Sequence, residues 1–180
     1  QLKLALGKTA SSHNRLLYFQ RTVERAGFAS QPSVALQLEQ AFWRGYLDAI
    51  ELFPGVMPFL HDLRIAGIPV VIVTDLTAQI QMRKMVILGL DSVVDWLVTS
   101  EETGVDKPDP RPFELALAKL GGVEGAVWFI GDDIECDLAG AKRAVNAVTL
   151  HRVNATGKLA DTDPVDLQFT SFDTLRTLLA

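Results

Sequence analysis

Three polar clusters of this 180-residue chain each lie after an apolar run that predicts a β-strand. They are Thr74 with Asp75, Lys107 in a proline-rich loop, and the acidic run of residues 131–137. In a parallel sheet such positions meet at one edge, which is where ligands bind in open α/β sheets. A hydroxyl, an ammonium group and several carboxylates at one edge could together hold a phosphoryl group and a divalent cation.

The first two clusters offer groups that suit an anion. The Thr74 hydroxyl, with the backbone amides of the following turn, could bind an anionic oxygen. Pro108 and Pro110 restrict the loop around Lys107, so its ammonium group would be presented from a rigid turn and could neutralise a carboxylate and a phosphoryl group. Simpler explanations stay open: Thr74 could merely end a strand beside a helix capped by Thr77, and Lys107 could be a solvated lysine.

The third cluster contains Asp132, Asp133 and Asp137 after a predicted buried strand. Carboxylates so placed repel one another and are costly to desolvate unless a cation or hydrogen-bond donors compensate them. Mg²⁺ prefers oxygen ligands and commonly takes one or two protein carboxylates together with a substrate phosphate. Helix capping by these aspartates is the alternative. The acids of the lysine loop, such as Asp106, are predicted to be solvated surface charge instead.

The elements that must position these clusters predict an α/β fold. Helical patterns precede the first predicted strand, and strands and helices then alternate. Continuous apolar strands separated by helices indicate a parallel sheet that helices cover on both faces. We predict a helical lobe over residues 1–52 and a sheet domain over 53–180. Strands are predicted at 68–73, 94–99, 126–130, 147–150 and 167–169, and helices at 11–27, 32–52, 56–66, 77–88, 110–120, 134–145 and 171–179.

The order and strand context of the clusters resemble the motifs of the haloacid dehalogenase-like (HAD) hydrolase superfamily. Thr74 is similar to the second motif, Lys107 in Val-Asp-Lys-Pro-Asp-Pro to the third, and Gly131-Asp132, with Asp137 five residues later, to the fourth. The resemblance implies a Rossmann-like α/β core whose parallel sheet is covered by helices on both faces, plus a small helical cap. Residues 1–52 would form part of that cap.

The resemblance also implies a reaction. In the family an aspartate attacks phosphorus to give an aspartyl-phosphate, which water then hydrolyses, while a second acid transfers the proton. Asp75 stands where relatives usually have asparagine, and a carboxylate beside a phosphate would repel it unless it is paired or turned away. The expected phosphate-binding residues are Thr74, Asp75 and Lys107, with Thr74 and Lys107 also catalytic, and the expected Mg²⁺ ligands are Asp132, Asp137 and, as a further candidate, Asp133.

The two acids of that reaction form an Asp-x-Asp pair on the family's first strand, which the sequence does not match. Its Asp-x-Asp pattern, Asp161-Thr-Asp163, has no apolar strand before it and is predicted to be a surface turn. The resemblance places the first strand between the strands that end at Val73 and Ile130. We therefore expect the nucleophile upstream of Gln1, in a longer protein, and expect the chain as given to be inactive.

Composition limits the partners. The net charge of -5 gives no field that would gather polyanions, which disfavours nucleic acid and anionic membranes. No apolar run reaches the roughly 20 residues that cross a bilayer. The single cysteine, Cys136, cannot form an internal disulfide and fits a reducing compartment. We predict a cytoplasmic protein that acts on a small phosphorylated metabolite, and the sequence leaves its oligomeric state open.

Three other functions stay open from the sequence. A dehalogenase of the same superfamily needs no magnesium, so the acids of residues 131–137 disfavour it, whereas a phosphomutase would have the same motifs. A non-enzymatic binding or regulatory module would keep the metal and phosphate pocket without a nucleophile. An apolar strand ending in Asp-x-Asp before Gln1 would favour the enzyme over the module.

Overall fold

The fold is known here from a computed structural model that describes residue 7 and residues 9–154 and 163–179. Three α-helices precede the first strand, and strands and helices then alternate as far as residue 152. In chain order the elements are a 3₁₀ turn Ala10–His13, α1 Arg15–Arg25, α2 Pro32–Ala49, α3 Val56–Ile65, β1 Val71–Thr74, α4 Ala78–Ile87, a 3₁₀ turn Leu90–Ser92, β2 Trp96–Thr99, α5 Ser100–Thr103, α6 Pro110–Lys119, β3 Trp128–Gly131, a π-helical turn Ile134–Ala139, α7 Gly140–Val145, β4 Val148–Arg152, β5 Leu167–Phe169 and α8 Phe172–Leu179.

The strands form two parallel sheets, β1-β2 and β3-β4-β5. Thr74 lies opposite Thr99 in the first sheet, and Gly131 lies opposite His151 in the second. Within the described residues, β1 pairs only with β2 and β3 pairs only with β4. The continuous sheet that the sequence predicts is therefore divided between β1 and β3, where the resemblance places a further strand.

One apolar core joins the two sheets. Buried Phe59 of α3 and Leu175 of α8 belong to a cluster against which Ile72 of β1 and Ile130 of β3 both pack. The opposite side has its own cluster around Phe113 of α6, which also contains Ala141 of α7 and Ala147, just before β4. Because strands of both sheets share the first cluster, they lie in one layer with helices on both faces. The predicted α/β arrangement is confirmed.

The helical lobe packs beside the end of β1. Its two helices contact each other, partly through the edge-on rings of Phe19 and Phe42, whose centroids are 6.0 Å apart. Trp43 of α2 is buried against Leu76 and Ile80, which follow β1. The lobe therefore rests on the loop that carries Thr74 and Asp75.

Local hydrogen bonds explain where the elements differ from prediction. β1 begins at Val71 rather than residue 68, because Pro69 has no N–H and the Val70 N–H donates to the Asp95 side chain. The predicted helix 134–145 starts as a π-helical turn, in which the Leu138 N–H donates to the carbonyl of Asp133. The short helix α5 was not predicted.

Two further observations concern the described residues only. None of their helices combines the length and apolar character that crossing a membrane requires. Asp161, the first residue of the Asp-x-Asp pattern, lies outside them. Asp163, the second, is 85% exposed and pairs with Lys142 at 2.9 Å.

Candidate active site

The Lys107 side chain joins three loops at the carboxyl ends of the strands. Its Nζ lies 3.1 Å from the Val73 carbonyl oxygen at the end of β1 and 2.7 Å from Asp137 Oδ1 after β3. Both charged side chains are only 11% exposed, so Lys107 is not the solvated lysine of the simpler explanation. The structure thus brings the lysine, the end of β1 and the acidic loop into one site, as the strand-end argument predicts.

Two carboxylates, half-buried Asp75 and buried Asp106, hold the lysine loop in place. Asp75 Oδ1 accepts a hydrogen bond from the Lys107 backbone N–H at 3.0 Å. Asp106 is buried and lies 3.1 Å from His13 Nε2, so the prediction that Asp106 is solvated surface charge is wrong. Its partner is 93 residues away in the chain, which is why the local sequence gave no sign of this contact.

The electrostatics of Asp75 follow from this position. Loss of solvent raises the pKa of the Asp75 carboxyl above its ordinary value. The hydrogen bond from the Lys107 backbone and the charge of Lys107 lower that pKa, whereas the neighbouring Asp106 and Asp137 raise it further. The carboxylate that stands in place of the family's asparagine is therefore paired with the lysine loop.

Thr74 ends β1 with its hydroxyl beside α4. Its Oγ1 accepts a hydrogen bond of 2.6 Å from Gln81 Nε2. Thr77 occupies the cap position of α4, but its side chain makes no capping bond, and the Ala78 N–H donates instead to Glu101 Oε2 at 2.7 Å. The Thr74 hydroxyl is thus not used as a helix cap and remains at the edge of the sheet.

Gly131 lets the acidic loop fold back against the end of β3. A Cβ at this position would lie 2.6 Å from both the Cβ and the Oδ2 of Asp137, closer than real contacts allow. The Asp137 residue as a whole is 8% exposed. Its Oδ2 also accepts a hydrogen bond of 3.4 Å from the Asp133 N–H. Asp133 Oδ1 in turn accepts from the Cys136 N–H at 2.7 Å, so Asp133 serves as the helix cap that the alternative reading predicts.

Asp132 and Asp137 are the acids that could hold a magnesium ion. Both follow β3 and offer carboxylate oxygens, and Asp137 forms an ion pair with Lys107. In the described part of the chain, no group of three or more His, Cys, Asp or Glu side chains is arranged to hold a metal ion. Two carboxylates suit Mg²⁺, which keeps several waters and commonly completes its coordination with a substrate phosphate.

A cleft of about 360 Å³ opens beside the acidic loop, and Asp132 lies in its wall. Most of the wall is apolar, and Glu51 and Arg152 add charge to it. The Arg152 guanidinium stacks 3.4 Å from the centre of the Phe53 ring. The cleft also reaches Ile130 and Gly131 at the end of β3.

Sequence reasoning missed two polar contacts of the site. Gln81, which bonds Thr74, lies in a predicted helix, and nothing in the sequence marks it. His151 is buried, and its Nε2 lies 3.3 Å from the Asp132 carbonyl oxygen. Because His151 directly follows the predicted strand 147–150, the strand-end rule could have identified it.

Comparison with known proteins defines the class. The model of the haloacid dehalogenase-like hydrolase family matches residues 12–144. A ribulose-1,5-bisphosphate 5-phosphatase of Halopiger xanaduensis is 41% identical over 153 residues, which is 85% of this chain and 62% of that protein. A glyceraldehyde 3-phosphate phosphatase of Methanopyrus kandleri is 30% identical over 165 residues, 91% of this chain and 68% of that protein.

Solved structures share the architecture. The crystal structure of a 2-haloacid dehalogenase from Pseudomonas syringae pv. Tomato matches with a TM-score of 0.73 at 26% identity, over 92% of this chain and 69% of that one. The chain therefore belongs to the haloacid dehalogenase-like hydrolase family. It spans about two thirds of the length of these relatives.

Proposed function

We propose that this chain forms the larger part of a magnesium-dependent phosphatase that hydrolyses a small phosphomonoester, such as a sugar phosphate or a nucleotide. The observation that carries the proposal is the position of Lys107 Nζ, within hydrogen-bond distance of both the Val73 carbonyl and Asp137. This position places the Lys107 cation beside the Asp137 carboxylate and the strand end that carries the Thr74 hydroxyl. Two relatives that are named as phosphatases of small phosphorylated compounds support this function.

In the proposed mechanism, the residues at the end of β1 and in the lysine loop bind the phosphoryl group. The Thr74 hydroxyl donates a hydrogen bond to one phosphoryl oxygen. Lys107 neutralises negative charge on the phosphoryl group and on the attacking carboxylate. Asp75 accepts a hydrogen bond from the Lys107 backbone N–H and so holds the loop that presents the ammonium group at the strand end. Phosphate binding by Asp75 is thus indirect.

Asp132 and Asp137 would hold the magnesium ion, and Asp133 would fix the loop that presents them. The ion, when bound, supplies positive charge that polarises the phosphoryl oxygens. These carboxylates would otherwise repel the substrate, so their placement beside a phosphate site is reasonable only together with a cation. Gly131 permits the arrangement, because any side chain there would displace Asp137.

The nucleophile is proposed to lie upstream of Gln1, on a strand inserted between β1 and β3. Those two strands have no partner on their facing sides within the described residues, and an apolar cleft reaches the end of β3. An aspartate at the end of that strand would lie near Lys107. Its carboxylate attacks phosphorus and forms an aspartyl-phosphate, and an acid two residues later protonates the leaving group and then activates water.

We propose the same two functional regions that the sequence predicts. Residues 1–52 act as part of a cap that contributes to substrate choice, and residues 53–180 form the core that binds phosphate and metal. We propose a cytoplasmic location, because the single cysteine fits a reducing compartment.

Phosphate release from a panel of phosphomonoesters, measured on protein that includes the upstream segment, tests the proposal. Activity should require Mg²⁺ and should be lost in Asp132→Asn. The matched control is Glu135→Gln, which removes an exposed acid from the same loop and should leave activity intact. Activity that needs no metal and survives Asp132→Asn would contradict the mechanism.

The rival functions give different results in the same experiment. A dehalogenase, the named activity of one structural relative, would release halide from haloacids without magnesium. The acids after β3 favour the phosphatase, since displacement of halide needs no metal. A phosphomutase would yield an isomeric phosphate ester instead of inorganic phosphate. A binding module would bind inorganic phosphate but turn over no ester.

A further inference from the structure

Gln81 donates to the proposed phosphate-binding hydroxyl from the fourth position of α4. Its Nε2 lies 2.6 Å from Thr74 Oγ1, and both side chains are partly buried. The amide nitrogen of glutamine only donates hydrogen bonds, whereas a threonine hydroxyl both donates and accepts. In this bond Thr74 is therefore the acceptor, and its own proton is available to another acceptor.

We propose that Gln81 is a positioning residue that directs the Thr74 hydroxyl proton towards the phosphoryl oxygen of the substrate. The inference rests on the proposed phosphatase function. By occupying a lone pair of Oγ1, the amide excludes the rotation in which the hydroxyl donates towards α4. Donation into the hydroxyl also polarises its O–H bond, which strengthens the bond that Thr74 gives to an anion.

The surroundings make this bond an ordered one. Threonine is stiff at χ1, so the position of Oγ1 is set once β1 is formed. The start of α4 is fixed from the neighbouring segment, because the Ala78 N–H donates to Glu101 and the Leu76 N–H donates to Ser100 Oγ at 3.1 Å. The Gln81 amide is thus presented from a helix whose first turn cannot shift freely.

Two replacements of Gln81 separate this role from packing. Gln81→Glu keeps the shape but gives an ionised group that only accepts, so the Thr74 proton would turn to the new carboxylate and away from phosphate. Gln81→Met keeps the length and removes the bond, so the hydroxyl would rotate freely. The matched control is Gln79→Glu, which places the same charge on an exposed position of the same helix.

The measurements are the Kd for inorganic phosphate, by calorimetry in the presence of Mg²⁺, and KM and kcat for a hydrolysed ester. We expect Gln81→Glu to weaken phosphate binding and raise KM by about tenfold or more, and Gln81→Met to do so by a smaller factor. Gln79→Glu should change neither constant. Thermal unfolding of every variant identifies any general loss of structure.

A double-mutant cycle with Thr74→Val decides whether Gln81 acts through the hydroxyl. In that background Gln81→Met should have no further effect, and Gln81→Glu should cost no more than Gln79→Glu does. Equal losses with and without the hydroxyl, or unchanged phosphate binding in Gln81→Met, would overturn the inference. Absence of magnesium-dependent hydrolysis by the unmodified protein would instead overturn the proposed function, since the phosphate-binding cycle is measured separately.

Discussion

Replacing Lys107 by methionine is expected to destabilise the fold by about 3 kcal/mol, because it leaves the carboxylate of Asp137 buried without its cation. Breaking a buried ion pair from one side typically costs about 3–5 kcal/mol. The lower end applies here, since Asp137 keeps its bond from the Asp133 N–H. For a chain of this size the loss corresponds to a fall in Tm of roughly 6–12 °C.

Urea unfolding without divalent cations, followed by tryptophan fluorescence, measures this loss. Lys119→Met is the matched control. The Lys119 ammonium group also bonds a carbonyl and a carboxylate, those of Leu97 and Glu102, but Glu102 is 43% exposed, so its removal should cost no more than about 1 kcal/mol. Asp137→Asn in the Lys107→Met background should restore much of the stability, because the buried charge is then absent.

Two results would refute this reasoning. Equal losses in Lys107→Met and Lys119→Met would show that burial of the pair carries no special cost. A further loss on adding Asp137→Asn would show that the uncompensated carboxylate is not the cause of the destabilisation.

Two more predictions concern neighbouring residues. Asp75→Asn keeps the acceptor for the Lys107 N–H but removes a carboxylate whose pKa is raised in the folded state, chiefly by burial. The folded state therefore binds the Asp75 proton more tightly than the unfolded state, and stability falls as the pH rises through the raised pKa. Urea unfolding should show Asp75→Asn more stable than the parent at about pH 7, with the gain shrinking as the pH falls towards about 4; a gain that is independent of pH would contradict this. Gly131→Ala should destabilise by about 1–3 kcal/mol and weaken Mg²⁺ binding, because its Cβ would meet Asp137 at 2.6 Å. In α2, where a Cβ on Gly45 would have no neighbour within 4 Å, Gly45→Ala should be neutral or stabilising in the same unfolding assay; similar losses in both variants would count against the steric explanation.

The sequence predicted the fold well because its strands are short apolar runs followed by polar clusters. Thr74, Lys107 and the acidic loop follow such runs, and parallel strands bring their ends together whatever the details of side-chain packing. That rule needs only the order of elements. It also applies to His151, which directly follows the predicted strand 147–150 and lies within β4.

Contacts between distant residues could not be predicted in the same way. The partner of Asp106 is His13, near the other end of the chain, and no local pattern links them. Gln81 reaches Thr74 across the turn that joins β1 to α4, where the Ala78 N–H donates to Glu101. Such contacts depend on how whole elements pack, which residue spacing does not specify.

The burial of Trp43 against Leu76 and Ile80 has a consequence for exchanging the helical lobe between relatives. Leu76 is two residues from Thr74, so a graft of the helical lobe would alter the support of the β1 loop along with the surface of the proposed cap. A chimera that replaces residues up to 52 and keeps the original 76–80 segment would disturb this packing. Transplanting the two segments together would preserve the packing of Trp43 against Leu76 and Ile80.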